Sequence, residues 1–132
     1  MKGLFTFCEK GKCIMKLPFE IDLKDKVAVV TGGGGVLCSG FAKTLAACGA
    51  KVAILDLRLE AAEAVAEEIR AEGGIAIGVA ANVLQRESME EARKLIEEKL
   101  GTCDILLNGA GGNNPRGQTT KEYLEPEDLE GA

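Results

Sequence analysis

Four consecutive glycines, Gly32 to Gly35, follow the run Val27-Ala-Val-Val-Thr31 and lead into a segment whose Phe41, Leu45 and Cys48 keep helical spacing. Glycines there let main-chain amides approach an anion with no Cβ in the way, and the start of a helix adds its partial positive charge. The chemistry this pattern suits is the holding of a dinucleotide's diphosphate. A flexible glycine linker has the same composition, so the turn alone decides nothing. About 20 residues further on, a nucleotide-binding unit carries an acid that accepts from ribose hydroxyls. Here the apolar run Lys51-Val-Ala-Ile-Leu-Asp56 ends in Asp56. Two more polar groups follow apolar runs, Asn82-Val83 and Asn108-Gly-Ala-Gly111.

The elements that must position these residues alternate along the chain. Val27 to Val30, three of them β-branched, read as a strand buried on both faces. A helix is expected from about Ser39 to Cys48, closed by Gly49, then a strand from Val52 to Leu55. A second helix near Glu60 to Glu72 carries Ala62, Val65, Ala66 and Ile69 on one face, and Gly73-Gly74 stops it. Ile75 to Ala80 reads as the third strand. Ser88 and Glu91 have the form of a capping box, and Met89, Ala92, Ile96 and Leu100 keep helical spacing up to Gly101. Glu90 and Lys94 are spaced for an i,i+4 ion pair. Asp104 to Asn108 is the fourth strand. Right-handed crossovers build this order into an α/β, Rossmann-like, doubly wound parallel sheet of order 3-2-1-4, which ends after its fourth strand. The glycine turn, Asp56, Asn82 and Asn108 to Gly111 then all fall at strand C-termini, beside the reversal of strand order. Residues 1–25 read as an N-terminal extension, 26–112 as the dinucleotide-binding βαβαβαβ unit, and 113–132 as a polar loop with an incomplete helical segment.

Composition excludes several functions. The net charge is −5, no Lys/Arg run exists and aromatics are 4 %, which argues against nucleic acid. No run approaches the ~18 apolar residues of a membrane span. Histidine is absent, which removes the commonest general base and metal ligand. The five cysteines are odd in number and form no dense framework, which points to reduced thiols and a cytoplasmic setting. Cys8 and Cys13 lack the second pair a zinc site needs, so no metal is expected, and Cys38 and Cys48 read as packing residues. Residues 1–14 read as a dispensable extension before a natural start at Met15.

Together, Thr31-Gly32 with the following glycines, Asp56, Asn82-Val83 and Asp104-Ile-Leu-Leu-Asn-Gly-Ala-Gly111 resemble the short-chain dehydrogenase/reductase family, over about Leu23 to Gly112. The wording Thr-Gly-Gly-Gly-Gly-Val-Leu-Cys38, with Gly-Ala-Gly-Gly-Asn-Asn-Pro115 later, is similar to its D-mannonate or fructuronate oxidoreductase branch. The resemblance implies an NAD(P)-dependent hydride transfer between a nicotinamide and a carbonyl or alcohol carbon, with a small-molecule substrate of which a sugar acid is one class. It implies that Gly32, Gly34, Gly35, Val36 and Leu37 hold the diphosphate and that Asp56 accepts from the adenosine ribose. Asn82 and Val83 would border the adenine, and Asn108, Gly109, Ala110 and Gly111 the ribose and nicotinamide. Asp56 would repel a 2′-phosphate, favouring NAD over NADP, although Arg58 stands two residues on. A homo-oligomer is implied for the full-length form.

Four positions depart from the family pattern. Val36 and Cys38 stand at the last two glycine places of the turn, Asn82 replaces an Asp, and Gly109 replaces the second Asn of Asn-Asn-Ala-Gly. The family's catalytic Tyr-x-x-x-Lys has no match, because the only tyrosine is Tyr123 and Glu127 stands four residues later. No catalytic residue is therefore assigned, and the chain reads as the front part of a longer enzyme, inactive alone. Its last strand, at Ile105 to Leu107, would leave an uncovered edge prone to association. Two alternatives stand beside this reading: a non-catalytic dinucleotide-sensing module and an S-adenosylmethionine-dependent methyltransferase.

Overall fold

The computed structural model describes residues 21–112, together with the backbone of two short strands at 6–9 and 12–15. Those two, β1 (Thr6–Glu9) and β2 (Lys12–Met15), pair antiparallel as a separate two-stranded sheet. The expected loop and helical segment at 113–132 lie outside the described residues.

The main body runs β3 (Val27–Thr31), α1 (Val36–Ala47), β4 (Lys51–Asp56), α2 (Leu59–Ala71), β5 (Ile75–Ala80), α3 (Arg86–Lys99) and β6 (Ile105–Asn108). All strand pairs are parallel and the order is β5-β4-β3-β6, as the alternation of elements predicted. Moving from β3 to β4 to β5 keeps α1 and α2 on one face. Stepping back past β3 to β6 puts α3 on the other, because both kinds of crossover are right-handed. Ala28, Val30, Val52 and Ile54 accordingly pack with Ala42, Ala62, Val65, Ala66 and Ile69. Val27, Val29, Ala53 and Leu55 pack with Ala92, Ile96 and Leu100 on the opposite face. The central strands β3 and β4 are thus buried on both sides, which is why their sequences are unbroken apolar runs.

Local corrections have local causes. α1 starts at Val36, three residues before the expected Ser39, with Gly35 as an N-cap that offers no side chain. Ser88 is not a cap: α3 begins at Arg86 after Gln85, and the Ser88 hydroxyl accepts from the Asn82 amide at 3.0 Å. Glu90 pairs with Arg86, at 2.8 Å, rather than with Lys94.

The edge strand β5 is covered by side chains of α2. Glu63 accepts from the Gly78 amide at 3.0 Å, and Arg70 donates to the Ala76 carbonyl at 2.9 Å and to Glu63 at 2.6 Å. These bonds occupy edge groups that would otherwise be open to another strand. The Arg70 hydrogen bond, seconded by the Gly78 amide, holds the Glu63 carboxyl below its usual value of 4.5. A depressed carboxyl stabilises the fold above its unfolded-state pKa, and that contribution is lost as pH falls through the folded value. Glu63→Gln should therefore lower the urea midpoint at pH 6 and converge with the native chain in acid below pH 4.5. A gap between the two that is independent of pH would refute the linkage.

At the opposite edge, β6 has no further strand partner among the described residues. Leu106 of β6 is 57 % exposed and joins Val29, Leu55, Met89 and Ile96 along a groove of about 440 Å³ on the α3 side.

Candidate functional site

The strand registers bring the C-terminal ends level. Thr31 lies opposite both Leu55 and Asn108, and Asp56 lies opposite Ala80. The glycine turn, Asp56 and the Asn108–Gly111 turn therefore meet at one end of the sheet, astride the gap between β3 and β6. Asn82 and Val83 lie at the same end, one strand further out, after β5.

Gly32 takes a positive φ of +65°, which turns the chain out of β3. Its main chain lies directly on the β6 turn: a Cβ there would sit 2.8 Å from the Gly109 carbonyl oxygen and 2.9 Å from the Ala110 nitrogen. The Gly33 amide donates to the Leu55 carbonyl at 3.0 Å, tying the turn to β4. Gly34 faces Asp56, whose Oδ2 accepts from the Gly34 amide at 3.1 Å while Oδ1 accepts from the Arg58 amide at 3.1 Å. A side chain at Gly34 would press on that carboxylate, at 2.9 Å, and on Ala61 Cβ, at 2.7 Å. Gly35 donates to the Gly32 carbonyl at 3.1 Å.

Two of the candidate amides are thus already engaged, that of Gly34 by the Asp56 carboxylate and that of Gly35 by the Gly32 carbonyl. The first turn of α1 differs. It has no side-chain cap and no acidic residue, and Val36 and Leu37 are 92 % and 76 % exposed. Amides at the head of a helix without a cap are the donors an anion finds. Apolar side chains that exposed flank the open end.

Asp56 is half-buried, and Asn82 holds its own loop by accepting from the Leu84 amide at 3.0 Å through Oδ1. Val83 is 44 % exposed. Asn108 to Gly111 are exposed. Thr31 joins the two turns, although only its place before the glycines drew attention in the sequence. It is 3 % exposed, and its hydroxyl accepts from both the Gly109 amide, at 3.1 Å, and the Ala110 amide, at 3.2 Å. Asp104 ties the other end of β6 to β3 by accepting from the Val27 amide at 2.9 Å, and that bond keeps its carboxyl below the ordinary range. Among the described residues no group of three or more His, Cys, Asp or Glu could hold a metal ion, and no helix is long and apolar enough to cross a membrane.

Residues 26–130 match the model of the family described as short chain dehydrogenase. An uncharacterized oxidoreductase of Haemophilus influenzae is 50 % identical over 109 residues, covering 83 % of this chain and 38 % of that protein. This chain thus spans well under half the length of that relative. A crystal structure with bound NAD, of a Haemophilus influenza protein named for D-mannonate oxidoreductase activity, matches with a TM-score of 0.71. That match is 50 % identical and covers 80 % of this chain and 38 % of the other. A metagenomic short-chain oxidoreductase in complex with NADP matches with a TM-score of 0.64 and 32 % identity, over 68 % of this chain and 41 % of that one.

Proposed function

Because this chain belongs to the short chain dehydrogenase family, we propose that it is the cofactor-binding portion of an oxidoreductase that moves hydride between a nicotinamide dinucleotide and a carbonyl or alcohol carbon. The observation that carries the reading is the meeting of an uncapped helix start, a glycine turn and a carboxylate at the reversal of strand order. The residues present fit such a cofactor. The backbone at Gly32 and Gly34 leaves no room for side chains of its own, and the amides of Val36 and Leu37 head a helix with no competing acid. These amides hold the diphosphate. Asp56 accepts from the adenosine ribose hydroxyls and is steadied for that by the Gly34 and Arg58 amides. Asn82 and Val83 border the adenine, and Asn108 to Gly111 line the ribose and nicotinamide. When bound, the nicotinamide supplies the hydride acceptor or donor. The described residues supply its grip and orientation.

NAD is favoured over NADP, because the Asp56 carboxylate repels a 2′-phosphate; the similar structures hold NAD in one case and NADP in the other. A sugar acid is the substrate class supported by the half-identical protein named for D-mannonate oxidation or reduction. The full-length form works in the cytoplasm as a homo-oligomer. Hydride transfer needs a proton donor and acceptor beyond this portion, since Glu127 stands where the family's lysine would follow Tyr123. Family membership separates the chain from the methyltransferase alternative.

Isothermal titration tests the reading. The 132-residue chain should bind NADH more tightly than NADPH. Asp56→Ala should weaken NADH by about ten- to a hundredfold, the worth of hydrogen bonds to a charged acceptor, and narrow the gap between the two. Tighter binding of NADPH by the native chain would overturn the assignment.

A further inference from the structure

Two of the departures from the family pattern, Cys38 in place of a glycine and Gly109 in place of an asparagine, are distant in sequence and touch in space. Cys38 lies in the first turn of α1, half-buried against the core face shared with Ala28 and Val30. Its Sγ stands on the β6 turn, and a Cβ built at Gly109 would overlap that sulfur outright. The same Cβ would lie 2.8 Å from the Thr31 carbonyl oxygen. On its inner side Gly109 also meets the Thr31 hydroxyl, which accepts from its amide at 3.1 Å, and the main chain of Gly32, while its outer side is exposed.

We propose that Cys38 is a positioning residue for the nicotinamide half of the cofactor: its thiol fills the volume a side chain at position 109 would need and seats the β6 turn against the glycine turn. The two departures are then one exchange of volume. A thiol is gained on the helix, a side chain is lost from the turn, and the site is left with nothing larger than the Ala110 methyl along Gly109 to Gly111. This rests on the cofactor reading above and goes beyond it, since it concerns how the turn is held rather than whether a dinucleotide binds. It also separates the two ends of the ligand. The adenosine diphosphate half meets α1, the glycine turn and Asp56, whereas the nicotinamide half meets the turn that Cys38 seats.

The test is a cycle of Gly109→Ala, Cys38→Gly and the double variant in the 132-residue chain, titrated with NADH and, separately, with ADP. Gly109→Ala should weaken NADH by about tenfold or more while ADP changes less than about twofold. In the Cys38→Gly background the same substitution should cost less than about threefold for NADH. Rescue is incomplete, because the 2.8 Å approach to the Thr31 carbonyl remains. A merely structural role would move both ligands together. Equal NADH losses in the two backgrounds, or parallel losses of NADH and ADP, would overturn the proposal. Should Gly109→Ala fail to fold, recovery of a folded double variant by circular dichroism is the same rescue, and failure of both variants counts against it. If the native chain binds neither ligand, the cofactor reading falls and takes this proposal with it. If it binds both and no rescue occurs, this proposal alone falls.

Discussion

Gly32→Ala should be among the most damaging single changes, lowering stability by about 2–5 kcal/mol. Two costs add. The residue has φ +65°, where an L side chain is disfavoured by roughly 1–2 kcal/mol. The added methyl also meets the Gly109 carbonyl oxygen at 2.8 Å and the Ala110 nitrogen at 2.9 Å. These are main-chain atoms that no rotamer change can move aside, and forcing an extra group into such a place costs roughly 1–3 kcal/mol. For a domain of this size the thermal midpoint should fall by roughly 10 °C or more. Gly111→Ala is the control, since among the described residues a Cβ there meets nothing within 4 Å and its φ is not positive. Equal unfolding midpoints for the two variants would show that the turns are not in contact.

Thr31→Val tests the same junction from the other side. Valine keeps the shape and β-branching of threonine, so β3 and its packing are preserved. What is lost is one oxygen that accepts from two amides, Gly109 at 3.1 Å and Ala110 at 3.2 Å. Thr31 is 3 % exposed, whereas Gly109 and Ala110 are exposed, so the freed amides can turn in part to water. Each lost hydrogen bond is worth about 0.5–1.5 kcal/mol, so a loss of about 1–3 kcal/mol is expected in urea unfolding. Thr31→Ser keeps the acceptor and should recover most of it. A valine variant as stable as the native chain would mean that the β6 turn is held by other contacts, and the shared hydroxyl would lose its assigned role.

Much of this architecture is legible one residue after another, because burial periodicity is a local property. Ala62, Val65, Ala66 and Ile69 recur at helical spacing and are the buried residues of α2. Ile75 to Ala80 read as a strand and form β5. Where side chains choose among several partners, the local pattern misleads. Ser88 and Glu91 have a capping form, yet the Ser88 hydroxyl is taken by Asn82. Glu90 had a cation on either side along α3, and Arg86 is the one it pairs with. α1 starts three residues before the Ser39 that the sequence suggests, because its glycine N-cap offers no side chain to read.

The amino-acid order alone determined the family, the alternation of strand and helix, the sheet order and the end of the sheet at which glycines and carboxylate gather. The family follows from the resemblance of its motifs, and the rest from hydrophobic period and turn chemistry, which act between near neighbours. Only the folded chain decided which amides of the glycine turn are already taken, that Thr31 joins two turns, and that Cys38 and Gly109 divide one volume. Such contacts depend on ångström-scale packing between segments that parallel pairing brings together, and no spacing along the chain encodes that distance.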